Sequence, residues 1–375
     1  MNFYIIYIVG AVQGLFLSVL LFKKRSNHSA NRILAVLVLL YSLYLVEPAI
    51  MRFVSNKVAA WYFTIVINIE FLFGPMHYQY TRLLTKKEKR YALKEILHYL
   101  PMFLSKSYLY AVFFKTGLSL YEFIPICDQF YPGSVMSAMS TLLVIQGLIY
   151  MILTLRLLRR YARDIRDRYS SLEHINLRWL RNITWASTGV WLTALVVHIL
   201  DLSGFELFVH QGSYPVLIAL TIFIYAMGYF GFQQSEIFGK GFSLNEREMK
   251  TQKYAKTRLD ESTAENYYQQ IEAYMRNQTP YTKPDLSLTE MSRELNIPEH
   301  HVSQVINNRI GMNFFQYVNQ YRIEDVKKKL INREYSHLSI LGIALDAGFN
   351  SKSAFNTVFK ASTHMTPSQY RKIRQ

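Results

Sequence analysis

Long apolar stretches alternate with short polar loops over the first 232 residues of the chain. There are seven of them: Phe3–Phe22, Ile33–Val54, Val58–Tyr80, Ile96–Phe114, Ser137–Leu158, Leu180–Leu200 and Val216–Phe232. A helix needs about 20 apolar residues to cross a hydrocarbon core of about 30 Å. The first, fifth and seventh stretches meet this requirement fully, whereas the second and third carry acidic residues and the fourth contains Pro101 and Lys106. The pattern predicts seven membrane-spanning helices.

The chain becomes polar after Phe232, and shorter helical patterns follow. Gly239 and Gly241 mark the change. The range Lys250–Gln278 is typical of a charged linker that leads into a helix with one apolar face, formed by Tyr267, Ile271 and Met275. We expect a signal received by the apolar part to travel through this helix, because little else separates it from the seventh apolar stretch.

The segment between Leu338 and Arg374 predicts two short helices joined by a tight turn. Gly348 ends the first helix because a turn at positive φ favours a residue without Cβ, and Ser351 is placed to cap the second. The second helix has an apolar face and an outward face. The outward side chains are of the kinds that hydrogen-bond base edges or bind phosphates: Lys352, Ser353, Asn356, Thr357 and Lys360. This arrangement is a helix-turn-helix.

An equivalent helix pair is predicted upstream. Its first helix is Leu288–Leu295, and Pro298 opens the second, whose outward residues include His301, Ser303, Gln304, Asn307 and Arg309. A single helix over 313–330 is predicted to join the two pairs, with buried positions at Phe314, Val318, Ile323, Val326 and Leu330. On such a connector, two recognition helices are placed to enter successive major grooves about 34 Å apart. The ten outward residues named for the two pairs are the predicted DNA contacts.

A spaced signature runs through the second pair: I..IA...GF, then S.F...FK, then TP..YR. It is met by Ile340, Ile343, Ala344, Gly348, Phe349, Ser353, Phe355, Phe359, Lys360, Thr366, Pro367, Tyr370 and Arg371. This C-terminal part resembles the AraC/XylS family of transcription regulators. His364 departs from the pattern, because the family usually has a turn glycine there. The order of seven spans and then this module resembles the seven-transmembrane AraC-type regulators, with further marks at Gly74–Pro75, His98–Pro101, Lys253–Tyr254 and Pro280–Tyr281.

Pattern and resemblance together predict an all-α chain. A seven-helix transmembrane sensor domain occupies residues 1–239, a linker and helix occupy 240–279, and a double helix-turn-helix DNA-binding domain occupies 280–375. Composition agrees with a membrane part, since 51% of residues are apolar and only 18% are charged. The net charge is +16, from 42 Lys/Arg and 26 Asp/Glu. Residues 240–375 hold 20 basic and 14 acidic residues, whereas residues 1–239 hold 22 basic and 12 acidic residues. DNA binding therefore explains only the smaller part of the basic excess.

The basic residues of the apolar part predict its orientation. They cluster in the first, third and fifth loops, most densely in Arg156–Arg181, whereas the alternate loops hold few. Loops on the cytoplasmic side carry such an excess of Lys and Arg. We therefore predict a multi-pass protein of the bacterial cytoplasmic membrane with its N-terminus outside and its C-terminus in the cytoplasm, where DNA is.

Glu47, Glu70 and Lys106 are charged residues that lie within predicted spans. A charge at the centre of a bilayer costs at least about 3 kcal/mol unless it is paired or hydrated. One interpretation is a ligand-binding pocket with charged walls. The favoured interpretation is a structural ion pair of Glu70 with Lys106, which would hold the third and fourth spans together.

We expect no metal, no cofactor and no enzymatic activity. His77, His98 and His198 lack the HxxxH or HxxE spacing of metal ligands. The sequence has no Walker lysine loop, no GxSxG motif and no histidine-plus-ATPase pattern of a sensor kinase.

The leading functional hypothesis is a membrane-tethered one-component transcription regulator, which senses a signal through its transmembrane part and binds promoter DNA sequence-specifically. Its partners would be double-stranded DNA, the lipid bilayer, an unidentified small-molecule or membrane signal, and a second copy of the chain. The alternative is a transporter or channel-like membrane protein with an appended regulatory DNA-binding domain. Transporters usually show repeated halves and broken spans, and here no internal repeat is evident and only Pro48, Pro75 and Pro101 interrupt spans.

Overall fold

The regular secondary structure of the described residues consists of helices. A computed structural model describes residues 3–25, 27–85, 93–119, 122, 133–173, 175–203, 213–233 and 259–374. Within these ranges no strand forms, and Tyr169 and Ser287 make a single antiparallel bridge. The all-α prediction is confirmed for this part of the chain. The chain divides into two compact units: Met1–Arg159 with Leu177–Leu244, and Arg160–Asn176 with Asn245–Gln375.

The first unit is built from apolar helices. They are α1 (Phe3–Lys23), α2 (His28–Phe53), α3 (Asn56–Val66), α4 (Phe73–Thr85), α5 (Leu100–Thr116), α6 (Gly133–Arg168), α7 (Arg178–Leu202) and α8 (Ser213–Gln233). Helix α6 continues beyond Arg159 and so also contributes residues to the second unit. Short 3₁₀ turns cover Ile69–Leu72 and Leu93–Tyr99.

Five described segments are long and apolar enough to cross a membrane. They are Tyr4–Lys23, His28–Phe53, Lys57–Thr85, Ser137–Arg168 and Arg178–Leu200. Helix α5 has 17 residues, and the apolar segment within α8 is the shorter Leu220–Gln233. These segments are compatible with a membrane protein, while the count of seven spans stays a prediction.

The third predicted span is interrupted rather than continuous. Helix α3 ends before Asn68, which has a φ of 64°, and a 3₁₀ turn then leads into α4. Asparagine is one of the few residues besides glycine that enter the left-handed region readily. The break places Glu70 on the 3₁₀ turn rather than within a regular helix.

Large apolar side chains are exposed on most helices of the first unit. Examples are Phe16 at 59%, Trp61 at 68% and Val196 at 56% of their full accessible area. Soluble monomers rarely expose apolar patches larger than a few hundred Å². Hydrocarbon would solvate such side chains without the free-energy cost that water imposes, which is the physical reason that this unit suits a bilayer.

The second unit holds two small cores that share one helix. Its helices are α9 (Glu261–Asn277), α10 (Leu288–Leu295), α11 (Glu299–Val305), α12 (Phe314–Ile331), α13 (Ile340–Asp346), α14 (Lys352–Thr363) and α15 (Pro367–Arg374). The first core combines α9, α10 and α11 with Phe314, Tyr317 and Val318 of α12. The second core combines α13 and α14 with Ile323, Val326 and Leu330 of α12. The predicted joining helix and its five buried positions are thereby confirmed.

Two details of the first helix pair refine its prediction. Helix α10 has the predicted bounds, and Pro298 occupies the position just before α11 rather than its first turn. A π-helical turn over Ile306–Ile310 follows α11, and Gly311 then ends it with a φ of 77°.

Helix α12 begins with a capping box, in which the side chains of Asn313 and Gln316 accept each other's backbone N–H.

The turn between α13 and α14 depends on Gly348. Its φ is 94°, its N–H donates to the carbonyl of Leu345, and the N–H of Phe349 donates to the carbonyl of Ala344. This pair of bonds is a Schellman motif. A Cβ at Gly348 would overlap the carbonyl oxygen of Tyr281 and lie 2.9 Å from the carbonyl carbon of Thr282. Glycine is therefore required both for the backbone conformation and for the close approach to the 281–282 backbone.

The predicted N-terminal cap of α14 is confirmed, and the helix ends at His364. Ser351 Oγ accepts the N–H of Ala354 at 3.2 Å. His364 has a φ of 58° and ends the helix in the left-handed conformation that a glycine would adopt there without strain. The turn thus forms despite the departure from the family pattern.

A pair of glycine variants separates backbone strain from the close approach. Gly311→Ala introduces only left-handed strain, since a Cβ there meets no atom within 4 Å, and we expect a loss of about 1–2 kcal/mol. Gly348→Ala adds the overlap with Tyr281, so we expect a loss of about 2–4 kcal/mol. The measurement is the urea midpoint for proteolysis of the C-terminal unit in detergent-solubilised full-length protein. Equal midpoints for the two variants would show that the approach to the 281–282 backbone is not tight.

Candidate nucleic-acid interface

Helix α14 presents its predicted contact residues to solvent. Its inward face is fixed by Phe355 and Phe359, which are 1% and 0% exposed. All five predicted residues on the opposite face are exposed: Lys352, Ser353, Asn356, Thr357 and Lys360. Among the described residues, neither lysine is paired with a carboxylate, so both positive charges are available to phosphates. The face combines hydrogen-bonding groups in its middle with a cation near each end.

A shallow groove brings three of these residues to one surface. It has a volume of about 370 Å³ and lies between α13, α14 and the start of α15. Lys352, Asn356 and Lys360 line it together with Ile340, Leu341, Phe355, Thr366, Pro367 and Ser368. Thr357 lies outside it, and its Oγ1 donates to the carbonyl of Ser353 at 2.9 Å.

The predicted DNA-contact residues of the first helix pair make more contacts within the protein than those of α14 do. The ring of His301 is half-buried and stacks on Tyr267 of α9, with 5.8 Å between ring centroids. Burial, together with the neighbouring His300, lowers the pKa of His301, so its ring is neutral at pH 7. A neutral imidazole can hydrogen-bond to a base or phosphate but adds no positive charge. Ser303 and Gln304 are half-buried.

Asn307 and Arg309 lie on the π-helical turn after α11, and both are exposed. Asn307 Nδ2 donates to the carbonyl oxygen and to Oγ of Ser303 at 2.9 and 3.2 Å. Arg309 forms ion pairs with Glu261 at 2.9 Å and with Glu265, and its guanidinium lies 5.4 Å from the ring centre of Tyr268. Two carboxylates of α9 thus balance the charge of Arg309 and weaken its attraction for phosphate.

One feature of the sequence indicated that Arg309 would meet carboxylates, although the sequence analysis did not use it. Glu261 and Glu265 are four residues apart, so both carboxylates lie on one face of α9. The basic residue that meets them lies 44 residues beyond Glu265. Only the packing of α9 onto the first helix pair brings the charges together.

Arg322 is the second residue that the sequence did not single out. Its side chain is 1% exposed, between the two cores of the second unit. It donates to six oxygen acceptors: the carbonyls of Tyr281, Lys283, Pro284 and Ser170, the Ser170 hydroxyl and the Asn319 amide oxygen. Burial lowers the pKa of Arg322 to about 10, so the guanidinium remains charged at pH 7. We call these residues the Arg322 junction.

The charged candidates of the apolar unit are all half-buried. The side chain of Tyr44 lies near that of Glu70. Lys106 Nζ donates to the carbonyls of Thr64 and Ile65 at 3.1 and 2.9 Å, near the end of α3. Lys106 therefore satisfies carbonyls that the interruption of the helix leaves without N–H partners. The ligand-pocket and ion-pair interpretations of Glu47, Glu70 and Lys106 both stay predictions.

The three histidines considered as metal ligands each face a different hydroxyl. His77 Nε2 lies 3.0 Å from Thr184 Oγ1, His98 Nδ1 lies 2.7 Å from the hydroxyl of Tyr150, and His198 Nε2 lies 2.7 Å from Thr141 Oγ1. The structure does not bring these rings into one cluster. Across the described ranges, no group of three or more His, Cys, Asp or Glu residues is placed to hold a metal ion.

Comparison with known proteins finds relatives for the C-terminal part. Residues 291–373 match a family described as a helix-turn-helix domain. An uncharacterized HTH-type transcriptional regulator of Staphylococcus aureus strain COL is 40% identical over 87 residues, which are 23% of this chain and 11% of that protein. The melibiose operon regulatory protein of Escherichia coli strain K12 is 30% identical over 90 residues, which are 24% of this chain and 29% of that protein. A solved structure of a protein of unknown function from Listeria innocua is 26% identical, with a TM-score of 0.26, and covers 29% of this chain and 97% of that one.

The matched range runs from within α10 to within α15, and so covers the second helix pair and all but the first three residues of α10 in the first pair. A helix-turn-helix domain at the C-terminus is confirmed, and a domain of this kind supports DNA binding. The chain spans 11% of the length of the staphylococcal relative, so the likeness concerns this domain and not a whole protein.

Three alanine variants separate base recognition, phosphate binding and structural support. Asn356→Ala should relax base preference, with a loss of about 1–3 kcal/mol of discrimination. Lys360→Ala should weaken binding to all sequences and reduce the slope of log K against log salt by about 1. Arg309→Ala should leave that slope unchanged, because its charge is already balanced by α9. Fluorescence anisotropy at several salt concentrations measures all three. A reduced slope for Arg309→Ala would mean that Arg309 leaves Glu261 and Glu265 to bind phosphate.

Proposed function

We propose that the protein is a membrane-tethered one-component transcription regulator. The apolar helices sense a signal, and the C-terminal domain binds promoter DNA sequence-specifically. The observation that carries the proposal is the exposed face of α14, in a helix-turn-helix domain that follows a set of apolar helices in one chain. This face has hydrogen-bonding groups and two lysines that pair with no carboxylate in the described part of the chain. One polypeptide thereby combines a candidate receptor, the apolar helices, with a candidate DNA-binding domain.

The two helix pairs would divide the work of DNA binding unequally. The face of α14 has two lysines for phosphates and Asn356 for a base edge, so it suits both positioning and sequence recognition. The first pair offers a neutral His301 and an Arg309 already paired with carboxylates, so its contribution would come from shape and hydrogen bonds more than from charge. Because α12 joins the pairs as one helix, the two would bind successive major grooves as a unit.

Membrane insertion would follow from the apolar helices and the distribution of arginines. Near the end of α6 the arginines at 156, 159, 160, 163 and 166 are exposed, as expected for the cytoplasmic end of a span. With seven spans, a cytoplasmic position of this end places the N-terminus outside and the DNA-binding domain inside. Glu47, Glu70 and Lys106 are the candidates for a signal-binding site within the spans, and a second copy of the chain is the candidate partner on DNA.

The transporter alternative gains support from one observation. The third predicted span is broken at Asn68, and Glu70 lies directly after the break. Broken spans with charged residues near mid-membrane are a feature of transporter substrate sites. Uptake of a substrate by residues 1–239 alone would favour this alternative, and the DNA-binding domain would then report on transport.

Reporter fusions test the topology. An alkaline phosphatase reporter, active only outside the cytoplasm, should be inactive after Gly239 and active within 201–215, and a cytoplasmic reporter should give the reverse. The physical reason is the excess of arginine on alternate loops. Equal activity at the two sites would refute seven spans with this orientation.

DNA footprinting on the full-length protein in lipid nanodiscs tests the function itself. We expect protection of a defined site upstream of genes whose transcripts change when the gene is deleted. The double variant Asn356→Ala with Thr357→Ala is the matched control, since it keeps both lysines and removes the base-reading groups, and it should lose selective protection. Uniform protection of all sequences by the unaltered protein would exclude a sequence-specific regulator.

A further inference from the structure

A short segment between two apolar helices belongs to the same compact unit as the DNA-binding domain. In sequence, residues 160–176 lie between the apolar parts of α6 and α7, far from the C-terminal domain. In the structure their described residues pack with residues 259–374. The contacts concentrate in Arg168–Ser171, which we call the docking segment.

The docking segment binds the first helix pair through its backbone and one ion pair. Tyr169 forms the antiparallel bridge with Ser287, directly before α10. The N–H and the hydroxyl of Ser170 both donate to the carbonyl of Leu286, at 3.2 and 2.7 Å. Arg168 Nη1 lies 3.2 Å from Glu299 Oε1 at the start of α11, and these two side chains are only 11% and 15% exposed.

Ser170 also completes the Arg322 junction. Its carbonyl accepts from Arg322 Nη1 and from Asn319 Nδ2, each at 3.1 Å, and its hydroxyl accepts from Arg322 Nη2 at 3.1 Å. Ser170 is 1% exposed, so no solvent competes for these bonds. Both donor residues belong to α12, the helix that joins the two pairs.

Contacts from the second helix pair reach the same place. Asn350, which follows the turn at Gly348, donates through Nδ2 to Ser171 Oγ at 3.1 Å and to Asp285 Oδ1 at 3.2 Å. The guanidinium of Arg322 lies 5.8 Å from the ring centre of Phe349. The four residues of the docking segment thus contact the first helix pair, the joining helix α12 and the second helix pair.

Removing the docking segment would leave a charge inadequately solvated. The six acceptors of Arg322 are neutral oxygens, and two of them belong to Ser170. A buried guanidinium that loses acceptors bears a desolvation cost without compensation, so Arg322 would move or admit water. Movement of Arg322 would also disturb its bonds to Tyr281, Lys283 and Pro284. The turn at Gly348 packs on the adjoining 281–282 backbone. The mutual arrangement of the two helix pairs therefore depends on the docking segment.

We propose that the docking segment is the regulatory contact by which the apolar helices control DNA binding. This inference rests on the proposed function. When docked, the segment holds both helix pairs in the arrangement that binds two successive grooves. When displaced by a change in α6 or α7, it releases the pairs from that arrangement, and two-groove binding weakens. Arg168 is the last residue of α6, so a shift of this helix acts directly on the ion pair with Glu299.

A charge-swap experiment tests the proposal on full-length protein in lipid nanodiscs. The probes are the duplex protected in footprinting and a shortened duplex that keeps only the groove bound by α14. Arg168→Glu and Glu299→Arg should each weaken binding to the long duplex by about tenfold, since each buries like charges side by side, and should leave the short duplex within about twofold. The double variant, Arg168→Glu with Glu299→Arg, should restore binding to the long duplex. Arg166→Glu, an exposed position on the same helix, is the matched control and should behave as the unaltered protein.

Each outcome decides the question. Unaltered binding of the long duplex by both single variants, or failure of the double variant to restore it, would overturn the proposal. Equal weakening on both duplexes would assign the ion pair a general role in folding and would also overturn it. If the unaltered protein selects no sequence at all, the proposed function fails instead, and that result is separate from the comparison of variants.

A disulfide and a linker insertion provide independent arms. Tyr169→Cys with Ser287→Cys, in a Cys127→Ser background, should cross-link on oxidation, because bridge partners have Cα atoms about 4.5–5.5 Å apart. Single-cysteine and SDS-denatured samples are the controls, and absence of the cross-link in native membranes would refute docking.

A Gly/Ser insert between Gly241 and Lys253 should leave affinity for the long duplex unchanged. Loss of that affinity would mean that the linker, and not the docking segment, regulates DNA binding.

Discussion

The burial of Arg322 is the constraint on which the C-terminal unit depends. A guanidinium that stays charged at pH 7 yet is 1% exposed requires acceptors for nearly all of its N–H groups. The chain supplies them from three places: the 281–284 backbone, α12 itself and Ser170. These places meet at the boundary between the two cores. One side chain thus fixes how the first helix pair, the connector and the second pair fit together, which apolar contacts alone would leave freer to shift.

Local signals made most of the C-terminal fold predictable. The bounds of α10, the buried positions of α12, the turn at Gly348 and the cap at Ser351 all follow from periodicity and from the chemistry of single residues. The same reasoning identified the exposed face of α14, because a short amphipathic helix leaves its polar residues outward. These features involve contacts between near neighbours, which a pattern along the chain can reveal.

Contacts between distant residues were not predictable in this way. Ser170 and Arg322 are separated by 152 residues, and Arg309 meets Glu265 across 44. Nothing in a helical pattern shows that an arginine beside Ile323 will be buried among carbonyls rather than exposed. The break of the third predicted span at Asn68 was also missed, since the apolar composition continues through it. Hydropathy reports the solvent that a segment prefers, whereas the break concerns the backbone of a single residue.

The arginines around the end of α6 show how one sequence feature can meet two physical requirements. Their number is explained by the positive-inside rule, which needs only charge on the correct side of a membrane. The structure divides them further, because Arg156, Arg159, Arg160, Arg163 and Arg166 are exposed, whereas Arg168 is mostly buried against Glu299. A charge needed only for topology has no reason to bear the cost of desolvation. Its burial against α11 is what singles out Arg168, among neighbours of the same type, as the residue that links the end of an apolar helix to the helix-turn-helix domain.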